Sequence, residues 1–273
     1  MFKAEKKFSY PAAAFRLGEL IFHSTVRETR KGHGNGFVAL GMNILTTVIF
    51  VAAFYIMFSV LGLKGNAIRG DFVLFLMSGI FLFLTHTKAV GAVSGAEGPT
   101  SGMMLHVPMN TFVAITSAAL ACLYLQTLSM VLVLFVIHVA WHPVIIHDPS
   151  HAFLMFILAW FTGVAVGLCF LALKPWFPNF TNIGSSIYQR MNMIASGKMF
   201  VANTLPATML AFFDWNPLFH TIDQARGYTF VNYNPHYTTW QYALLVGTVL
   251  LVIGFMGEHF TRRNTSASWF ATR

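Results

Sequence analysis

The sequence predicts an all-α integral membrane protein with six transmembrane helices, an N-terminal interfacial helix, and re-entrant or short helices before the last span. Two observations predict this class. Of the 273 residues, 56% are hydrophobic and 10% are charged, whereas a soluble domain carries roughly 25% charged residues. Long stretches also lack any charged residue, and about 20 apolar residues cross the hydrocarbon core of a bilayer as a helix.

Four uncharged runs are the clearest predicted spans, and they cover residues 37–61, 112–137, 152–173 and 240–257. A fifth run begins at residue 72 and is charge-free only to residue 87. It reaches residue 93 if the long side chain of Lys88 extends to the membrane interface. We therefore count it as a span.

The sixth predicted span, residues 182–203, differs from the others because it carries Arg190 and Lys198. A cation inside a membrane is costly, so this helix must face other helices or a wet cavity. The uncharged residues 199–213 follow and are interrupted by Pro206. They are too short to span and suit a re-entrant or interfacial element.

The chain is predicted to be one membrane domain with short flanks. Residues 1–36 form a cytoplasmic segment whose amphipathic helix lies on the membrane surface. Residues 37–260 form the membrane domain, with a cytoplasmic segment at about 95–109 and outer short helices at about 203–230. Residues 261–273 form a cytoplasmic tail.

The basic residues orient this domain. The formal net charge is +8, and a six-span chain with a cytoplasmic start has twelve Lys and Arg inside and four outside or at that border. This distribution obeys the positive-inside rule and puts both termini in the cytoplasm. Nucleic-acid binding is not predicted, because no basic stripe with interleaved aromatic residues occurs outside the tail.

The stretch HVAWHPVIIHDPSH contains two H-x-x-x-H pairs that look like the histidine boxes of membrane di-iron enzymes. They are formed by His138, His142, His147 and His151. Such enzymes need about eight histidines from separate segments, whereas here two pairs share one proline-interrupted outer loop. We predict a solvated loop and no metal centre, and we keep a zinc or copper site as the alternative.

The stretch DWNPLFHTIDQARG predicts a short helix before the last span. Asn216 can cap its start, Pro217 fits its first position, and Gly227 suits the position after its end. Asp223 and Arg226 have the spacing of an i, i+3 pair, with His220 one turn before Asp223. Aromatic residues including Trp215 and Tyr228 collect nearby, either as a membrane-interface belt or as stacking faces for sugars.

These features, in this order, resemble the membrane subunit of ABC-2 type transporters, specifically capsular polysaccharide exporters, over about residues 15–260. WNPLFHTIDQARG carries the strongest likeness. FVLFLMSGIFLF, MMLHVPMNTFVAI and QRMNMIASGKMFVANTLP match the second span, the passage into the third, and the fifth. The resemblance implies a homodimer in a bacterial inner membrane that exports a lipid-linked polysaccharide, capsular or another surface glycan.

The resemblance also implies partners. Two copies of a separate cytoplasmic ATPase would bind ATP and Mg²⁺, and a two-membrane envelope would add periplasmic and outer-membrane export proteins. The chain itself is then not an enzyme and has no cofactor, in keeping with its lack of a G-x-x-x-x-G-K-[S/T] loop. The expected contacts with the ATPase are the N-terminal helix and Gly98, Pro99, Met103, Met104, Leu105, Val107 and Pro108.

For the substrate path, the candidates are Arg190, Lys198, Trp215 and Tyr228. The two cations could meet a phosphate or carboxylate of the substrate, or could instead bind a backbone carbonyl or another helix. Two other functions stay open: an ABC-2 exporter of a drug or small lipid, and a histidine-rich membrane metalloenzyme acting on lipid.

Overall fold

The computed structural model describes residues 10–31, 34–62, 68, 70–98, 110–141 and 143–264, and all regular structure there is helical. The helices are α1 Tyr10–Arg30, α2 Gly36–Val60, α3 Phe72–Ser94, α4 Thr111–Ala140, α5 Pro149–Leu173, α6 Pro178–Ala195, α7 Ala207–Phe213, α8 Pro217–Thr229 and α9 Trp240–Asn264. A short 3-10 helix, Ala202–Thr204, lies between α6 and α7.

Five of the described helices, α2, α3, α4, α5 and α9, are long and apolar enough to cross a membrane. They match the five predicted runs with few or no charges, and α3 does continue past Lys88 to Ser94. The protein is therefore a multi-pass helical membrane protein. The predicted span at 182–203 is wrong as a single helix, because α6 ends at Ala195 and is not among these five.

Side-chain caps set where many of these helices begin. The side-chain oxygen of each capping residue accepts a hydrogen bond from a backbone N–H in the first turn, which satisfies a donor that has no partner within the helix. The caps are Asn35 for α2, Asp71 for α3, Asn110 for α4, Asp148 for α5 and Asn216 for α8.

The centre of the bundle is formed by α3 and α5, which lie side by side and run in the same direction. Two glycines of α5 allow this approach. A Cβ on Gly163 would lie 2.5 Å from the carbonyl oxygen of His86, and one on Gly167 would lie 2.9 Å from that of Val90. Small residues four apart are a common means of close helix packing in membranes, where polar satisfaction and van der Waals contact drive association.

The last helix, α9, also runs parallel to α5. Gly247, in the first half of α9, packs against Phe161 in the middle of α5, and Gly254 packs against Leu168 further along both helices. The chain between them must therefore return from the end of α5 to the end where α5 begins. It does so through α6 and α8: the loop after α6 reaches Gly79 of α3, and the carbonyl of Thr229 at the end of α8 accepts from His147 N.

Candidate functional site

Buried polar side chains gather around the break between α6 and α8. Asn192, Lys198, Asn216, Asp223 and Arg226 are each at most 3% exposed. The helix α6 stops where Gly197 adopts φ +71°, a conformation that favours glycine. A Cβ at this position would also lie 2.5 Å from the ring of Phe219. The break is thus fixed by one glycine and one ring from α8.

Asn216 joins the two helices. Its Oδ1 atom accepts from Leu218 N at 3.0 Å, which confirms the predicted cap with Pro217 in the first helical position. Its Nδ2 atom donates to Asn192 Oδ1 at 2.8 Å and to the carbonyl of Ala195 at 2.9 Å. One side chain therefore starts α8 and satisfies the end of α6.

Arg226 holds the loop that follows α6. Its guanidinium donates to the carbonyls of Gly197, Lys198 and Phe200 at 2.9, 2.6 and 2.6 Å. The guanidinium carbon also lies 4.2 Å from the ring centroid of Phe75, within range of a cation–π interaction. Arg226 is fully buried, so these contacts replace water around the charge.

Asp223 binds different groups. It accepts hydrogen bonds from the hydroxyls of Tyr233 and Thr238 at 2.6 and 2.8 Å, and from Ala202 N at 3.3 Å. The spacing of Asp223 and Arg226 does not give a direct ion pair, because Arg226 binds three carbonyls of the loop after α6, and Asp223 binds Ala202 N of that loop together with the two hydroxyls. Each buried charge is thus stabilised by neutral donors or acceptors.

His220 fixes the start of α9. Its Nδ1 atom accepts from Thr239 N at 3.0 Å, so its Nε2 atom carries the proton and donates to the carbonyl of Asp214 at 2.6 Å. Gly227 does not follow the helix, as its type suggested, but lies within α8. A Cβ there would be 2.6 Å from Cδ of Pro235. The helix is buried against α3, α5 and α9 and is not an interfacial helix.

Lys198 turns into the bundle. Its Nζ atom donates to the carbonyl of Met193 at 2.6 Å and lies 3.6 Å from the ring centroid of Phe83. Of the two roles suggested for Lys198 by the sequence, this arrangement matches the structural one, in which the cation binds a backbone carbonyl. Arg190 differs, since its side chain is exposed on α6.

The face of α6 around Arg190 is uncovered. It carries apolar side chains that are 51–68% exposed, namely Phe180, Ile183, Ile187 and Ile194. The other two path candidates lie elsewhere: Trp215 is exposed and donates to the carbonyl of Phe212, and Tyr228 stacks on His151 with ring centroids 5.1 Å apart. The structure therefore does not bring the four candidates together.

In the loop that contains the two H-x-x-x-H pairs, the described histidine side chains bind different partners. His138 Nδ1 accepts from Val144 N at 3.1 Å, and His151 Nδ1 lies 2.6 Å from Asp148 Oδ2. The backbone N–H of His151, followed by its side chain, lowers the pKa of Asp148. His142 lies outside the described residues. Within the part of the chain that the structure describes, no three His, Cys, Asp or Glu side chains are grouped to hold a metal ion.

The predicted ATPase contacts fall mostly outside the described residues, which exclude Pro99, Met103, Met104, Leu105, Val107 and Pro108. Gly98 is described, and a Cβ there would lie 3.6 Å from Leu171. Just before it, Glu97 lies 4.0 Å from Lys31, which also bonds Glu28 at 3.3 Å. The end of α1 is thus linked to the chain that leaves α3.

Two networks of buried polar side chains were not predicted from the sequence, which suggested only that Lys88 reaches the membrane interface. Lys88 donates to the side-chain oxygen of Asn43, whose Nδ2 atom donates to Gln126 and Ser129. His86 donates to the carbonyl of Ala159, and its Nε2 atom accepts from Tyr188 on α6. These networks could have been predicted from the Asn, Lys, Gln and His residues within the apolar runs, because such residues face the interior of a helix bundle in membranes.

Comparison with known proteins does not show a family for this chain. No protein-family model matches the chain, and no curated protein matches it in sequence.

Proposed function

We propose that this chain is the membrane subunit of an ATP-driven exporter of the ABC-2 type, and that it moves a lipid-linked surface polysaccharide across a bacterial inner membrane. The observation that carries the proposal is the uncovered face of α6. This helix follows the bundle beside α3 and α5, yet it leaves Arg190 and a row of apolar side chains without cover. A mixed polar and apolar face of this kind suits a second subunit or a polar substrate better than lipid.

The path of the chain supports six crossings. Because α5 and α9 are parallel, the segment between them has to recross the bundle, and α6 is its longest helix. At 18 residues, α6 is about 27 Å long, close to the ~30 Å hydrocarbon core. On this topology α7 and α8 form the re-entrant pair, and both termini are cytoplasmic, which the distribution of Lys and Arg favours.

A homodimer would cover the α6 face. Two copies of this face would enclose a path lined by Arg190 and its counterpart, next to the exposed side of α2. A cation inside a membrane needs an anionic or polar partner. The phosphate of a lipid carrier or the carboxylate of an acidic sugar has that chemistry, so Arg190 is the residue that we assign to the substrate.

Coupling to the ATPase would pass through α1. The contacts of Lys31 with Glu28 and Glu97 join this helix to the segment that leads to Gly98 and the proposed docking residues. Nucleotide binding to a separate ATPase can shift the membrane helices only if the ATPase contacts them differently in its two states. The tie between α1 and α3 would transmit such a difference.

The first test is purification of the tagged chain in mild detergent from its native cell, followed by mass spectrometry of co-purifying proteins. A stoichiometric soluble subunit with a Walker A loop is the expected result. A chain that purifies without an ATPase would contradict the proposal.

The second test concerns Arg190. In cells, Arg190→Ala should abolish or strongly reduce surface glycan while the protein level stays normal. Arg263→Ala is the matched control, because it removes an exposed cation at the end of α9. A normal amount of surface glycan in Arg190→Ala would show that Arg190 does not have the role we assign to it. Deletion of the gene tests the substrate class: if surface polysaccharide is unchanged, a drug or small lipid is the better candidate.

A further inference from the structure

A cavity of about 750 Å³ lies where α1 spans the gap between α2 and α4. Its apolar wall is formed by Phe22 and Val26 of α1, Phe37 and Leu40 of α2, and Leu120 and Leu123 of α4. Phe22 and Phe37 are 65% and 86% exposed, so the wall is accessible from outside the bundle. Since α2 and α4 are membrane helices, the cavity lies at the level of the leaflet in which α2 begins.

The mouth of this cavity is polar and cationic. Arg30, in the last turn of α1, lines it together with Asn35, the cap of α2. Among the described residues, the guanidinium group of Arg30 has no hydrogen-bond or ion-pair partner. The nearest acid on α1, Glu28, contacts Lys31 and Arg27 and lines a different cavity. Of the described lining residues, none is acidic.

We propose that this cavity binds one anionic glycerophospholipid, with an acyl chain against the apolar wall and the phosphate at Arg30. The wall is long, apolar and open to the membrane, which fits an acyl chain, and its volume is in the range of small-molecule pockets. The unpaired guanidinium supplies the charge that a phosphate requires. Asn35 Oδ1 accepts from Phe37 N, so the Nδ2 group of Asn35 is the part that can donate to the same phosphate.

The lipid would have a structural consequence for α1. Phe22 and Val26 of this helix are 65% and 36% exposed, and an acyl chain between α1, α2 and α4 would bury the exposed part of both side chains. The site is independent of the transported substrate, so it can be tested whether or not the export proposal holds.

The experiment is native mass spectrometry of the full chain, purified with any co-purifying subunits and titrated with dioleoylphosphatidylglycerol or dioleoylphosphatidylcholine at equal concentration. We expect one retained phosphatidylglycerol per chain and a clear preference over phosphatidylcholine. Arg30→Ala should reduce that preference roughly fivefold, the effect of one basic residue at an anionic headgroup. Arg263→Ala, which removes another exposed cation at the end of α9, should leave that preference unchanged.

Two further variants test the acyl-chain position. Leu123→Trp and Leu40→Trp fill the cavity from opposite walls, and either should prevent retention of both lipids. Equal retention of the two lipids by the unaltered chain would overturn the proposal, as would an unchanged preference in Arg30→Ala. If both tryptophan variants fold and still retain phosphatidylglycerol, the lipid binds elsewhere and the cavity assignment is wrong.

Discussion

Asp223 and Arg226 lie one turn apart on α8, and both bind the loop that follows α6. Arg226 donates to the carbonyls at 197, 198 and 200 of that loop. Asp223 accepts from the N–H of Ala202 in the same loop and also from the hydroxyls of Tyr233 and Thr238 after α8. The helix therefore joins the end of α6 to the start of α9. Loss of Arg226 should loosen the loop after α6, whereas loss of Asp223 should loosen both that loop and the segment that leads to α9.

Arg226→Ala should be strongly destabilising. It leaves three carbonyls without a donor in a site that excludes water, and each unsatisfied buried group costs about 1–3 kcal/mol. The variant should give little folded protein or a sharply lower unfolding temperature in detergent. The control is Arg263→Ala at the exposed end of α9, since an exposed substitution changes stability by roughly 0.5 kcal/mol or less. Equal unfolding temperatures for the two variants would contradict the structural role of Arg226.

Asp223→Asn should be milder. The side chain keeps its shape and one acceptor oxygen, but its amide nitrogen must face either the Thr238 hydroxyl or the pair formed by the Tyr233 hydroxyl and Ala202 N. Each mismatched buried group costs about 1–3 kcal/mol. Thermal unfolding measures the loss. Asp214→Asn provides the comparison, because that side chain is exposed and only its carbonyl binds His220. An Asp223→Asn variant as stable as the unaltered chain would show that the carboxylate charge is not needed there.

Gly163→Ala should separate α3 from α5. A Cβ at 2.5 Å from the carbonyl oxygen of His86 cannot be accommodated without movement of a helix backbone, and overpacking of this kind costs about 1–3 kcal/mol. Gly91→Ala is the matched control on α3, because nothing lies within 4 Å of its added Cβ. Alanine is favoured over glycine inside a helix by roughly 1 kcal/mol, so the control should be neutral or stabilising. A destabilised control would mean that general glycine loss, and not the contact, is being measured.

Lys198→Met should leave both stability and export nearly intact. Methionine retains the unbranched shape of the side chain, and relief of the desolvation of a buried charge offsets the lost bond to Met193 and contact with Phe83. We expect a stability change within about 1 kcal/mol and normal surface glycan. Folded Lys198→Met protein without surface glycan would instead assign Lys198 to the substrate.

The proposed dimer can be tested on the exposed face of α6. In a chain whose two cysteines, Cys122 and Cys169, are replaced by alanine, Ile187→Cys should form an intermolecular disulfide on mild oxidation in membranes. Val252→Cys on α9 is equally exposed, at 52% against 51%, and should remain monomeric on a denaturing gel. Crosslinking of Val252→Cys alone would place the interface on α9 and remove the cover that we propose for Arg190.

Local chemistry made part of this fold predictable. The runs at 37–61, 112–137, 152–173 and 240–257 lack charges, and a charge-free run of that length has few alternatives to a membrane helix. The start of α8 could also be predicted from the sequence, because an Asn cap followed by Pro depends on adjacent residues only.

The parts that could not be predicted depend on contacts distant in sequence. Gly227 looked like a helix end, but its small size is needed because Pro235 packs on it. The end of α6 depends on the packing of the Phe219 ring against Gly197, and the local sequence around either residue does not predict that contact. Arg226 binds backbone carbonyls, which have no signature in a sequence, so its spacing to Asp223 suggested a partner that it does not use.

The parallel arrangement of α5 and α9 has a consequence for synthesis. About 65 residues separate the two helices, and at a rate of 5–20 residues per second the ribosome needs roughly 3 to 13 seconds to make them. During that interval the surface of α5 that later receives Gly247 and Gly254 has no native partner. The contacts of His220 with Thr239 and of Asp223 with Thr238 then define where α9 starts. α8 thus serves as the template on which the last helix finds its register.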